Sequence, residues 1–218
     1  MKTAKIPATG QQLNIGKIVC LARNYAEHAK ELGNETPAAP VLFMKPASSV
    51  IADGEDVCIP AYSKECHYEV ELAVLIGKEC RAVSADRALE YVAGYGVGID
   101  MTLRDVQNQL KVKGLPWEIA KGFDTACPLS DFVPAGEVAD PHALHLKLAV
   151  NGEVRQDGNS SDMIHRVPQI IAHISAIFTL EPGDVILTGT PAGVGQVLAG
   201  DVMTAEIGTV GRLTIPVA

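Results

Sequence analysis

The chain has 218 residues, of which 47% are hydrophobic and 20% charged, a composition that excludes a disordered polymer and supplies a sizeable core. A net charge of -8 with no basic stripe excludes a nucleic-acid partner. No apolar run approaches the ~18 residues that a membrane span needs.

The N-terminal segment MKTAKIPATGQQLNIGK has neither the apolar stretch of a secretion signal nor the Arg richness of a transit peptide. Cys20, Cys58, Cys66, Cys80 and Cys127 are odd in number and form no C-x-x-C pair. They read as free thiols of a reducing compartment, so a cytoplasmic protein is expected. The chain carries 20 glycines and 13 prolines, above the usual share of about 12%, which implies many turns and hence many strands.

Residues 1–16 are polar and aperiodic and read as an N-terminal arm, with one catalytic domain over 17–218. Lys17–Leu21 is a short apolar strand. Asn24 is placed to cap a helix running to Leu32, with Gly33 as its stop. VLFMKP reads as a second strand and CHYEVELAVLIG as the strongest of all. Ser84 is expected to cap a helix over Ala85–Val92, before the strand YGVGID. Thr102–Lys111 is a predicted helix with Leu103, Val106 and Leu110 on one face. LHLKLAVNGEVRQDG is a hairpin turning at Asn151-Gly152. VPQIIAHISAIFTL reads as a buried helix, EPGDVILTGT as a turn and strand, and two short strands end the chain. Strands dominate and helices are few, which gives an α+β, mainly β domain.

Alternate residues of a strand share a face. Tyr68, Val70, Leu72, Val74 and Ile76 therefore form an apolar face, while His67, Glu69 and Glu71 share the other. Glu69 and Glu71 stand about 7 Å apart on such a strand, as in a solvated polar face or as two carboxylates converging on a cation. Asp100, where the strand YGVGID ends, favours the cation. Three carboxylates without sulfur describe a site for Mg²⁺ or Mn²⁺, with His67 a weaker candidate ligand.

Arg104, Gln107 and Lys111 recur at i, i+3 and i+7 opposite the apolar face of the predicted helix. Arg104 and Gln107 lie close enough to Asp100 to meet an anionic substrate, while Lys111 reads as a solvated residue. Lys121, in WEIAKGF, is either a surface lysine with its stem on apolar neighbours or a cation in a cleft. His28 and Glu31, at i and i+3, are either boundary residues or a general base and its orienting carboxylate. TGTPAGVG (188–195) lacks the features of a nucleotide-binding loop. It is either a plain glycine-rich turn or a nest of N–H groups that, with the Thr190 hydroxyl, holds a carboxylate.

The ordered segments ARNYAEHAKELG, PVLFMKP, HYEVELAVLIGK, GYGVGIDMTLRDVQ, KGLPWEIAKGFDTACP, NGEVRQDG and ILTGTPAGVG resemble the fumarylacetoacetate hydrolase superfamily. The likeness runs from about Lys17 to the C-terminus and is nearest to the short branch of acylpyruvases and oxaloacetate decarboxylases. It implies a mixed β-roll, usually a homodimer, that acts on small dioxo acids or oxo diacids. It carries metal binding onto Glu69, Glu71 and Asp100, and catalysis onto His28, Glu31 and Lys121. Arg104, Gln107 and Thr190 become substrate contacts, and the helix bearing His28 becomes a lid.

The implied reaction is Mg²⁺-dependent cleavage of an acylpyruvate to pyruvate and a carboxylate, with oxaloacetate decarboxylation through the same enolate. Fumarylpyruvate hydrolysis and an isomerase/decarboxylase of aromatic catabolism are the alternatives within the family. A non-catalytic module binding a divalent cation and an organic acid is the alternative outside it.

Overall fold

A computed structural model describes residues 2–31, 33 and 37–218. Most of its strands lie in two large sheets. One has six strands in the order Val133–Pro134, Val92–Ile99, Val70–Ile76, Val185–Leu187, Ile18–Ala22, Val41–Lys45. All its pairings are antiparallel except Val185–Leu187 with Ile18–Ala22, which is parallel. The other is a four-stranded antiparallel sheet of two hairpins, in the order Glu153–Asn159, His145–Val150, Val202–Ile207 and Gly211–Pro216. The predicted hairpin turn is present, with Asn151 at φ 51° and Gly152 at φ 83°, as a type I′ turn requires.

The strand predicted over CHYEVELAVLIG is two strands, Cys66–Tyr68 and Val70–Ile76, interrupted at Glu69. The first pairs with Thr102–Leu103 in a three-stranded sheet, and the second pairs with Val92–Ile99 in the six-stranded one. Two neighbouring strands thus leave one sheet and enter another together. The residues at that corner are Glu69 and Asp100, joined by the Asp100 N–H donating to the Glu69 carbonyl at 2.8 Å.

Val70–Ile76 is buried along its whole length. Leu72, Val74 and Ile76 face the main core, while Ala73 and Leu75 face a smaller core with Ile18, Val185 and Leu187. A strand covered on both faces loses polar alternation, which is why Glu71 is its one polar residue.

Four α-helices surround the sheets: α1 (Ala26–Glu31), α2 (Arg104–Lys113), α3 (Glu118–Lys121) and α4 (Val167–Ile177). The helix predicted from Thr102 begins two residues later, because Thr102 and Leu103 remain in the sheet. It ends at Gly114, whose φ of 64° closes the helix in the left-handed region. The helix expected over Ala85–Val92 is a single 3₁₀ turn, Ala88–Tyr91, and Val92 already belongs to the next strand.

Residues expected as an arm form instead a hairpin, Thr3–Ile6 with Gln11–Asn14. Ala4, Ile6 and Ile15 are buried in the smaller core, too few apolar side chains to give a periodic signal. All five cysteines are free thiols, four of them buried. Among the described residues no helix is long and apolar enough to cross a membrane.

Candidate active site

The corner of the two sheets opens into a small cleft. Its lining includes Glu69, Glu71, Arg104, Gln107, Lys121, His28 and Thr190, contributed by five separate stretches of chain. Glu69, Glu71 and Asp100 are all buried and each presents an oxygen within 4.8 Å of the others. Glu69 and Asp100 converge because they occupy the corner. Glu71 enters from two residues further along, opposite Gly98 in the adjacent strand.

Three buried carboxylates require compensating charge, and the chain supplies three cations. Lys121 Nζ donates to Glu69 Oε2 (2.9 Å), Asp100 Oδ2 (2.6 Å) and Thr102 Oγ1 (2.6 Å). This decides between the two readings of Lys121: it is a buried cleft cation. Arg104 donates through Nη2 to Glu69 Oε1 and through Nη1 to Gln107 Oε1 (2.7 Å).

The third cation, Lys45, had no signal beyond its place at the end of VLFMKP. It lies beneath the site at 1% exposure. Its ammonium donates to the carbonyls of Met101, Lys121 and Ala126 and stands 2.7 Å from Asp100 Oδ1. With all three of its protons on carbonyls, Lys45 compensates Asp100 by charge alone, and Oδ1 has no hydrogen-bond donor.

These charges split the titration of the cluster. Burial disfavours ionised Glu69, but Lys121 and Arg104 outweigh it and hold its pKa well below the usual carboxylate value. Glu71 goes the other way. Burial, reinforced by Asp100 and Glu69, raises its pKa well above the ordinary value despite the Gly189 N–H. Burial also works against the Lys121 ammonium, yet Asp100 and Glu69 keep its pKa above that of a free lysine. The buried all-oxygen donor set, the undonated Asp100 Oδ1 and a carboxyl whose ionisation is disfavoured by its carboxylate neighbours together fit a hard divalent cation.

His67 lies outside this cluster. Burial and the nearby Arg104 push its imidazole down to about 4, against the pull of Glu69.

The glycine-rich turn does hold carboxylates, and they are the protein's own. The Gly189 N–H donates to Glu71 Oε2 at 2.6 Å. The Gly193 N–H donates to both oxygens of Glu31, at 3.1 and 3.3 Å. Gly189 has φ 95°, and a Cβ there would meet the Asn24 Cβ at 2.7 Å. Glu31 in turn lies 3.2 Å through Oε2 from His28 Nδ1, and His28 is buried. The i, i+3 spacing therefore builds a histidine–carboxylate pair at the cleft.

Asn24, expected to cap α1, does not do so. Its side chain donates to the carbonyls of His165 and Thr188 and accepts from the His165 N–H. It pins the loop before α1 to the loop before α4. The expected last residue of α1, Leu32, is outside the described residues.

Three further residues escaped the sequence reading. Gln156 is the fully buried residue of an otherwise largely exposed strand. Its Oε1 accepts from the Val70 N–H (2.9 Å), while Nε2 donates to Thr190 Oγ1 (2.7 Å) and to the Pro191 carbonyl (2.9 Å). Because Thr190 accepts from Gln156, its hydroxyl proton is directed elsewhere. Arg23 lines the cleft from a backbone at φ 61°. Trp117, the chain's one tryptophan, lines it with Phe43 and Lys111. Lys111, expected in solvent, is half-buried, with Nζ 5.5 Å from the centroid of the Trp117 ring.

Bent mixed sheets with a buried acidic triad at their corner define the class: this is a fold of the fumarylacetoacetate hydrolase type. Residues 17–218 match the model for the fumarylacetoacetate (FAA) hydrolase C-terminal domain, and the chain belongs to that family of enzymes. It is 53% identical over 190 residues to the mitochondrial oxaloacetate tautomerase of Bos taurus, covering 87% of this chain and 86% of that one. It is 49% identical over 191 residues to an oxaloacetate tautomerase of Escherichia coli K12, covering 87% of each. Among solved structures, fumarylpyruvate hydrolase from Pseudomonas aeruginosa, in complex with Mn²⁺ and pyruvate, superposes with a TM-score of 0.95. The two share 37% identity over 100% of this chain and 95% of that one.

Proposed function

We propose that the protein is a divalent-cation-dependent enzyme of small 2-oxo acids bearing a carbonyl or carboxyl group at C4, with keto–enol interconversion of oxaloacetate as its best-supported reaction. The observation that carries this reading is the convergence, in one cleft, of three buried carboxylates with a histidine–carboxylate pair. The tautomerase relatives support the choice of oxaloacetate.

Glu69, Glu71 and Asp100 would hold Mg²⁺, or Mn²⁺ in its place, since all three offer hard oxygen donors. When bound, the cation supplies Lewis-acid charge to the carboxylate and 2-oxo oxygens of the substrate. His28, with Nδ1 toward Glu31, uses Nε2 to take the C3 proton, and the proton is delivered to the oxygen that becomes the enol. The Lys121 ammonium faces the negative charge that develops in between, and Thr190 has a hydroxyl proton free to donate to it. Arg104 and Gln107 complete the anion-binding wall. Closure of α1 over the cleft would exclude water from the enolate.

Cleavage of an acylpyruvate or of fumarylpyruvate is a second reading, favoured by the likeness to a fumarylpyruvate hydrolase. It uses the same residues, with His28 activating water instead of removing the C3 proton. The decisive measurement follows the ultraviolet absorbance of enol-oxaloacetate and the release of pyruvate from acetylpyruvate and fumarylpyruvate. Each is run with EDTA-treated protein and after addition of MgCl₂. Cation-dependent loss of enol absorbance supports the tautomerase, and activity undiminished by EDTA overturns the metal-based reading.

A further inference from the structure

The cleft contains more positive charge than its three carboxylates use. Arg104 and Lys121 are committed to Glu69 and Asp100, and Lys45 lies beneath the floor. Arg23 and Lys111 also line the cleft. Neither side chain has a hydrogen-bond or ion-pair partner among the described residues. They come from separate elements, Arg23 from the loop ahead of α1 and Lys111 from the last turn of α2.

Two features show that these cations are held rather than left to solvent. Arg23 occupies the left-handed region at φ 61°, a conformation that costs a residue with a Cβ and persists only where the surroundings enforce it. The enforcement is visible in Asn24, whose side chain is locked to His165 and Thr188. Lys111 is half-buried over the Trp117 indole, although the next residue, Val112, is 89% exposed and shows that solvent is close at hand. Burial and the neighbouring Arg104, Arg23 and Lys121 all depress the Lys111 pKa. Like charges gathered in this way cost stability unless an anion joins them.

We infer that Arg23 and Lys111 form a subsite for the second, distal carboxylate of a dicarboxylic oxo acid. The inference rests on the oxo-acid reading above and narrows its substrate class. The 2-oxo acid end lies over Glu69, Glu71 and Asp100, and the far carboxylate is taken between the two unpaired cations. Oxaloacetate and fumarylpyruvate carry that carboxylate, whereas acetylpyruvate ends in a methyl group. The pair thus selects dianionic over monoanionic substrates.

Trp117, alone of its kind and at the cleft wall, provides a binding signal independent of turnover. Stopped-flow tryptophan fluorescence, with excess MgCl₂, gives the dissociation constants of oxaloacetate and of pyruvate, which lacks the distal group. Wild type is compared with Arg23→Gln, Arg23→Lys and Lys111→Met, the last keeping the stem packed on the indole. Wild type should bind oxaloacetate more tightly than pyruvate. Arg23→Gln and Lys111→Met should each reduce that preference about 10-fold, the scale of one charge-assisted hydrogen bond at a partly exposed site, and Arg23→Lys should restore part of it. The ratio of kcat/KM for oxaloacetate to that for acetylpyruvate should fall in parallel. A preference unchanged in both variants, or equal weakening of the two ligands, overturns the subsite alone. If wild type binds neither oxo acid, the functional reading fails and the subsite fails with it.

Discussion

Replacing Lys45 by Met tests whether the candidate site is held together from below. Methionine keeps most of the methylene stem, so little cavity is created and the loss is confined to the ammonium. That group donates to the carbonyls of Met101, Lys121 and Ala126 and provides charge for Asp100 at 2.7 Å. Those carbonyls belong to the segments carrying Asp100 and Lys121, and no water can replace the donor at a position 1% exposed. Removing one partner of a buried ion pair costs about 3–5 kcal/mol. A protein of this size loses about 2–4 °C of Tm per kcal/mol, so the expected fall is about 6–20 °C. Differential scanning calorimetry at neutral pH measures it, with the exposed Lys113→Met as a control expected within about 0.5 kcal/mol of wild type. A Lys45→Met Tm within about 2 °C of wild type would refute the reasoning, because it would mean that the carbonyls and Asp100 find other partners.

If Glu71 binds the cation as a carboxylate, its raised pKa couples cation binding to the loss of its proton. Apparent Mg²⁺ affinity should therefore rise with pH, about tenfold per unit between the ordinary glutamate pKa and the raised one, with about one proton released. Calorimetry in buffers of different ionisation enthalpy reads both quantities, and a pH-independent affinity without proton release contradicts the assignment. His28→Ala should lower oxaloacetate tautomerisation about 10²–10⁴-fold while decarboxylation, which needs no base, falls much less. Lys121→Met should lower both, and equal losses for the two variants on both reactions would show that they act on structure instead. Gln156→Leu leaves the Val70 N–H and the Pro191 carbonyl without partners, at about 2–4 kcal/mol. It also frees the Thr190 hydroxyl to rotate, so the KM for oxo acids should rise along with the loss of stability seen in urea denaturation.

How much of the site was legible follows from the range of the interactions that build it. Glu69, Glu71 and Asp100 were readable because the strand period places the first two, and a glycine-rich strand running into Asp100 announces the third. Helical spacing made His28 and Glu31 neighbours, as they are, but left them open between boundary residues and a base with its carboxylate; only the family resemblance favoured the latter. Lys45 was not, since its partners lie 56 to 81 residues further along the chain. Gln156 sits in a strand whose neighbours are exposed, and only the approach of the 188–191 turn buries it. Lys111 shares the i, i+3, i+7 row of Arg104 and Gln107. Its distance in sequence from Asp100 suggested solvent, but a helix carries its row along one wall regardless of that distance. The hairpin at the N-terminus was hidden because its short strands bury only Ala4 and Ile6, with Ile15 just beyond.

The 188–195 turn links the two halves of the site, and two glycine substitutions separate them. The Gly189 N–H donates to Glu71, a proposed cation ligand, and four residues later the Gly193 N–H donates to Glu31, the partner of the proposed base His28. Both glycines have φ near 95°, so alanine at either is strained by about 1–3 kcal/mol. The steric consequences differ. At Gly193 a Cβ would press on the Arg155 carbonyl, whereas at Gly189 it would press on Asn24. Gly193→Ala should therefore detach Glu31, reducing kcat for tautomerisation while Mg²⁺ affinity stays within about threefold, a shift of under 1 kcal/mol. Gly189→Ala should withdraw the one N–H that favours ionised Glu71 and so weaken Mg²⁺ binding itself, by about 10-fold for a charge-assisted bond. Calorimetric Mg²⁺ titration and single-turnover kinetics at saturating Mg²⁺ separate the two effects. Should both variants lose cation affinity to the same degree, the turn acts as one rigid unit. The base and the cation site could then not be adjusted independently, and the division of labour argued from its two N–H groups would be wrong.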